Sequence, residues 1–328
     1  MFAKGVDMGW ASQLEEQGVR WIDDDGRTVD VYEMAGRLGA DSARLRVFVD
    51  PPRIGYWQKR DGSVCMLGRC SRQDLTKQAQ RVIGAGLRLM VDIHYSDHFA
   101  DPEYQEIPSD WLLDDADGLE ERVREHTAQV LTDLKDVGVT PEWVQVGNEI
   151  NNGLLIPAGG LKTHPKELVR FLNAGYEAVK AADPQIKVVT HLASLRFPEL
   201  CGPFLENFVA EGGKTDILGF SYYPFWDGRP HDAQEFGRWA RHYAGTYGKP
   251  VMIAEIGGEE TDPEGTRTMI RECIQQLQQL PNGQGCGIFY WEPEIGAGLL
   301  PDTYPLGAAR IAGEKTLQFT QALKGYLD

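Results

Sequence analysis

Trp143-Val144-Gln145-Val146-Gly147-Asn148-Glu149-Ile150 begins as a strand and closes on two polar side chains. Trp143, Val144 and Val146 favour extended backbone, and Pro141 cannot continue a preceding helix. An Asn-Glu pair at the end of one strand is what any strand meeting water shows. A second stretch, Val251-Met252-Ile253-Ala254-Glu255, repeats the pattern, apolar and then a carboxylate. Two strands that each end on Glu point to a pair of carboxyl groups facing one pocket. Cleavage of a glycosidic bond needs such a pair.

Strand-like segments recur along the chain at 2–8, 43–49, 88–95, 143–150, 187–192, 217–223, 251–256 and 287–291. Helical periodicity fills several gaps. Leu75, Ala79, Val82 and Ile83 follow a Ser71-x-x-Asp74 start signal and stop at Gly84 and Gly86. Val123 to Leu134, Leu168 to Val179, Phe236 to Tyr243 and Met269 to Leu277 give four more helices. Strand–helix alternation implies a parallel sheet, and eight units of about 41 residues suit a (β/α)₈ barrel. An open doubly wound sheet lacks its signature, because no Gly-x-Gly-x-x-Gly turn follows the first strand. The expected architecture is one catalytic barrel over residues 1–328. The loop-rich stretches 50–70, 97–115 and 151–165 all follow strands, on the side where barrel active sites are built.

Composition fits a globular chain, 42% apolar and 25% charged, with no run near the roughly 20 apolar residues of a membrane span. Net charge is -16, from 49 acidic against 33 basic residues, which argues against nucleic acid or an anionic membrane as partner. Five scattered cysteines do not make a disulfide framework; Cys65 and Cys70 lie in one loop and could bridge. No leader is visible before Lys4. The chain as it stands is expected in the cytoplasm, or outside the cell if a leader has been removed.

Polar residues gather where the strands end: Asp7; Arg44 and Arg46, on one face; Asp92 and His94; Asn148 and Glu149; Tyr222 and Tyr223; Glu255; Trp291 and Glu292. Each has a structural explanation alone, but around one rim they describe a site. Glu149 and Glu255 lie 106 positions apart, about three barrel units, so strands four and seven face each other across the mouth. Asn148 suits a hydrogen bond to a sugar 2-hydroxyl, and Trp291 an aromatic floor beneath the ring. No His-x-His occurs, and neither a metal nor a cofactor is expected. A nucleophile elbow is absent.

These motifs resemble the family 53 glycoside hydrolases, retaining (β/α)₈ endo-β-1,4-galactanases that cut the galactan side chains of pectin. The resemblance runs nearly end to end. It is carried by Lys4-Gly5-Val6-Asp7, Arg44-Leu45-Arg46-Val47, His94-Tyr95-Ser96-Asp97, Val144 to Ile150, Ser221-Tyr222-Tyr223-Pro224-Phe225-Trp226 and Phe289-Tyr290-Trp291-Glu292-Pro293. It implies Glu149 as acid/base and Glu255 as nucleophile. Arg44, Arg46, Asp92, His94, Asn148, Tyr222, Tyr223, Trp226, Trp291 and Glu292 are expected to bind galactan or galacto-oligosaccharides. Alternatives are another retaining β-glycosidase for short oligosaccharides and a sugar-binding barrel without turnover.

The chain departs from the family where Ile256-Gly257-Gly258-Glu259 follows the nucleophile and where Phe48, Phe99 and Ile156 stand for Trp. The loop after Glu255 lacks a calcium-binding run, and Thr303-Tyr304-Pro305-Leu306-Gly307 also differs. Smaller rings imply a smaller gain from added sugar units.

Overall fold

The computed structural model describes residues 1–296, 298–301 and 304–328; of the closing segment, Thr303 lies outside them. Eight parallel strands close a barrel: β1 Ala3–Asp7, β2 Ser42–Val47, β3 Arg88–Ile93, β4 Trp143–Val146, β5 Lys187–Leu192, β6 Ile217–Tyr222, β7 Val251–Ile256 and β8 Gly285–Trp291. Every expected strand is present. The largest difference is at β4, which stops at Val146 because Gly147 takes a φ of 79° and Glu149 one of 48°. A Cβ on residue 147 would also meet the Ile150 side chain at 2.8 Å, so only glycine turns the chain here.

Among the described residues, eight α-helices accompany the strands. The helices α1 Ala11–Glu16 and α2 Val31–Arg37, which apolar spacing did not reveal, both precede β2. The remainder are α3 Arg72–Gly84, α4 Ala116–Asp136, α5 Pro165–Ala182, α6 Pro198–Ala210, α7 Ala233–Tyr247 and α8 Pro263–Gln278. α3 starts as its sequence implied: Ser71 Oγ accepts from Asp74 N at 3.2 Å and donates to Asp74 Oδ2 at 2.6 Å. The short strands 309–313, 316–319, 20–22 and 28–29 form a second sheet that ties the chain ends together. Cys65 and Cys70 are buried and not bonded to each other.

Period-two alternation divides the barrel interior into two layers. Ala3, Met90, Trp143, Val189, Ile217, Met252 and Phe289 form an apolar plug at the strands' N-terminal ends. Truncating Trp143 or Phe289 to Ala should cost about 3–5 kcal/mol. Further along the same inward faces stand Asp7, Arg44, Asp92, Gln145, His191 and Ser221, all at most 2% exposed. Glu255 joins them by a register shift. Strict alternation from Met252 would aim Ala254 inward, but the pairing of β7 with β6 slips between Phe220 and Ser221, setting Ser221 opposite Glu255.

Candidate active site

A cleft of about 620 Å³ opens over this polar layer, at the C-terminal ends of the strands. Glu149 and Glu255 both border it. Glu255 is buried and tightly held: Arg44 Nη1 donates to Oε1 at 2.9 Å and the Tyr223 hydroxyl to Oε2 at 2.9 Å. Glu149 is half-buried, and its Oε1 meets Ser221 Oγ. Burial raises the proton affinity of both carboxyls. Arg44 and Tyr223 offset part of that rise at Glu255, which stays raised by burial. Glu149 is raised well above the usual carboxylate range, by burial first and then by the charge of Glu255. The proton of the pair therefore resides on Glu149.

The hydrogen bonds around Ser221 agree. His191 Nδ1 lies 2.7 Å from Asn148 Oδ1, and its Nε2 lies 2.9 Å from Ser221 Oγ. Burial and the Arg44 charge push His191 well down, so its ring is neutral. Asn148 Oδ1 can only accept, which puts the ring proton on Nδ1 and leaves Nε2 to accept from Ser221. The Ser221 hydroxyl is then spent on His191, and its oxygen accepts from protonated Glu149. One consistent chain runs Glu149, Ser221, His191, Asn148.

Arg44 holds the floor together. Its Nη1 reaches Asp7 Oδ2 at 2.7 Å, its Nη2 reaches Asp92 Oδ2 at 2.7 Å and Asn148 Oδ1 at 2.8 Å, and its Nε reaches Gln145 at 3.2 Å. His94 Nε2 lies 2.8 Å from Asp92, and the Ala100 amide donates to His94 Nδ1 at 2.9 Å, so Nε2 carries the ring proton. Arg46 pairs with Glu292, whose carboxylate also accepts the Gly9 and Trp10 amides at 3.2 Å. A Cβ on residue 9 would strike the Arg46 guanidinium at 2.2 Å, so Gly9 makes room for that pair.

His94, Asn148, Tyr223, Trp226 and Trp291 border the cleft with the two glutamates. Five expected sugar contacts are corrected. Arg44, Arg46, Asp92 and Glu292 are buried beneath the floor, where they fix other side chains. Tyr222 alternates outward from Ser221; its hydroxyl lies 2.8 Å from His231 Nδ1, and its ring packs on Phe236. The ring-area expectation changes as well. Phe48 is buried behind Phe99 and Ile156 does not line the cleft, so neither bears on sugar stacking.

Several residues of the site were assigned no role by the sequence reading. Trp10, Trp57, Asp101 and Tyr304 border the cleft, while Gln145 and His191 lie in the floor. The last two were readable in principle, as polar residues at inward positions of otherwise apolar strands. Trp10 stands edge-on to Trp291 at 5.1 Å and to Tyr304 at 5.8 Å, forming an aromatic corner above Arg46. Among the described residues no cluster of His, Cys, Asp or Glu is arranged to hold a metal ion.

A (β/α)₈ barrel whose mouth holds one protonated and one tethered carboxyl defines a glycoside hydrolase site. The family model for glycosyl hydrolase family 53 matches residues 3–324, and the chain belongs to that family. An endo-β-1,4-galactanase of Bacillus subtilis (strain 168) is 28% identical over 319 residues, covering 89% of this chain and 70% of that protein. An arabinogalactan endo-β-1,4-galactanase of Cellvibrio japonicus (strain Ueda107) is 28% identical over 320 residues, with 89% and 80% covered. The Ignisphaera aggregans GH53 catalytic domain matches with a TM-score of 0.85 at 27% identity, over 99% of this chain and 95% of that one.

Proposed function

We propose that this enzyme hydrolyses β-1,4-galactosidic bonds of galactan, arabinogalactan or the oligosaccharides derived from them, with retention of configuration. The observation that carries the mechanism is the unequal treatment of two carboxyls in one cleft. Glu255 is held by two donors, while Glu149 keeps its proton. The galactanase relatives support the choice of sugar.

In the first step a Glu255 oxygen attacks the anomeric carbon. The bond to the leaving oxygen breaks, and that oxygen takes the Glu149 proton. The product is a galactosyl ester on Glu255 and a carboxylate at Glu149. With the Glu255 charge consumed, Glu149 loses one cause of its raised proton affinity and becomes a base. Freed of its acceptor role, the Ser221 hydroxyl can turn from His191 toward the new carboxylate. In the second step Glu149 takes a proton from water, the oxygen attacks the anomeric carbon, and Glu255 leaves as carboxylate. Two inversions give net retention.

The test is chemical rescue. Glu255→Ala should lose at least about a thousandfold in kcat. Azide should restore turnover of an activated aryl β-galactoside, giving the α-galactosyl azide. A variant keeping more than about a tenth of wild-type activity would remove Glu255 from this role, since that is under 1.4 kcal/mol of barrier.

A further inference from the structure

We propose that Trp57 and the hairpin carrying it form a further sugar-binding subsite, outside the pocket where the bond is cleaved, for another pyranose unit of the same chain. The inference rests on the reading of the substrate as a β-1,4-linked galactoside.

The hairpin pairs 56–58 with 64–66 in the loop after β2. Its turn is set by Asp61 and Gly62: Asp61 Oδ1 accepts from Ser63 N at 2.9 Å, and Gly62 takes a φ of 88°. Both flanks are anchored. On one side Trp10 Nε1 donates to the Met66 carbonyl at 2.6 Å, and the Gln13 amide bridges Gly55 O at 3.1 Å and Gly68 N at 2.9 Å. On the other side the Trp57 indole lies flat on the His98 imidazole, with centroids 4.0 Å apart and planes 5° apart. Tyr104 meets Trp57 edge-on at 4.9 Å. The imidazole is itself fixed by its Nδ1, 2.9 Å from the Phe99 carbonyl.

The indole is therefore oriented before any ligand arrives, which lowers the ordering cost of binding. A tryptophan that served packing alone would be enclosed by apolar side chains. Trp57 is instead half-buried and borders the same cleft as Glu149 and Glu255, beside Asp101 and Glu103. One indole face is covered by imidazole, and the ring also packs on Tyr104 and on the Phe48, Leu67 and Cys70 cluster; the part that borders the cleft, where Asp101 and Glu103 supply carboxylates, fits a pyranose. Its C–H face packs on the ring while its hydroxyls donate to the carboxylates. Asp101 and Glu103 line one cleft with Glu149 and Glu255, so this end of the groove is continuous with the point of cleavage.

The test is a length series. kcat/KM is measured on an aryl β-galactoside and on β-1,4-galactobiose through galactopentaose for wild type, Trp57→Ala and Trp57→Phe. In Trp57→Ala the loss on the longest substrate should exceed the loss on the aryl galactoside by about tenfold. Trp57→Phe should fall between the alanine variant and wild type. Equal losses at every length, or none at any, on an enzyme active toward galactosides would overturn the subsite alone. A wild type inactive on all β-1,4-galacto-oligosaccharides would remove the substrate reading and the subsite with it.

Discussion

The floor of the cleft and its rim are built on opposite plans. The floor is a closed polar lattice on strand ends: Arg44 touches three carboxylates and two side-chain amides, and none of these groups is more than 6% exposed. The rim is aromatic, carried on loops and partly open, with Trp226 55% exposed and Trp57 half-buried. The floor sets where the protons lie, and the rim sets which sugars reach them. Changes in the floor should alter chemistry on every substrate, and changes in the rim should alter preference among substrates.

The largest effect on this contrast is expected from Arg44→Met. It leaves Asp92 and Glu255 buried without their arginine, and Asp7 with only the longer Arg46 contact at 3.5 Å, a class of change that costs about 3–5 kcal/mol of stability. Activity should fall at least a hundredfold on aryl galactoside and polymer alike, with a lowered Tm. A folded Arg44→Met variant with near-normal kcat would break the account of the floor.

Next comes the acid. Glu149→Ala should lose far more on galactan than on dinitrophenyl β-galactoside, whose leaving group needs no proton. Because Glu149 must be protonated and Glu255 ionised, kcat/KM should be bell-shaped in pH. It should fall on the alkaline side as Glu149 titrates, above the ordinary glutamate value of about 4.3. Ser221→Ala should cost roughly tenfold on galactan and move that alkaline limb, because Glu149 loses its acceptor. An unmoved limb would detach Ser221 and His191 from the acid.

A smaller effect, on stability alone, is expected beneath the rim. Glu294 is fully buried beside the Glu292 carboxyl. Burial and the Glu292 charge raise its proton affinity well above normal. Asp7, nearby, is pushed by burial up to about 8. Both bind their proton more tightly folded than unfolded. Their contribution is full below the unfolded values near 4 and is lost as pH rises through the folded ones. Glu294→Gln cannot ionise, so its Tm relative to wild type should rise steadily from pH 5 to pH 9. A constant difference would show that Glu294 does not titrate there.

The smallest effect belongs to Trp226→Ala, an exposed rim ring. It should raise KM on galactan less than about tenfold and leave Tm within a degree or two.

The same contrast governs what could be read beforehand. Strand ends alternate with period two, so Asp7, Arg44, Asp92, Asn148 and Glu149 announced themselves as polar residues closing apolar runs. What alternation hides is depth. It could not say that Arg44 and Asp92 lie under the nucleophile rather than against the sugar. It also misplaced Tyr222, which shares β6 with Ser221 but faces the helices. Glu255 reached the cleft through a register shift that no periodicity shows. Rim residues depend on how long loops dock. Trp57 was quoted in no motif, although Asp61-Gly62 between two β-forming pairs is a hairpin signal. Its partner His98 comes from the loop after another strand, and sequence carries no sign of that stacking.

The central claim is that Glu255 forms a covalent galactosyl intermediate while Glu149 serves first as acid and then as base. The most direct measurement is trapping with a 2-deoxy-2-fluoro-β-galactoside bearing a dinitrophenolate leaving group, followed by peptide mass mapping. The account expects one fluorogalactosyl adduct, on Glu255, with activity returning as the adduct turns over. An adduct on any other residue, or hydrolysis with inverted product and no adduct, would contradict it.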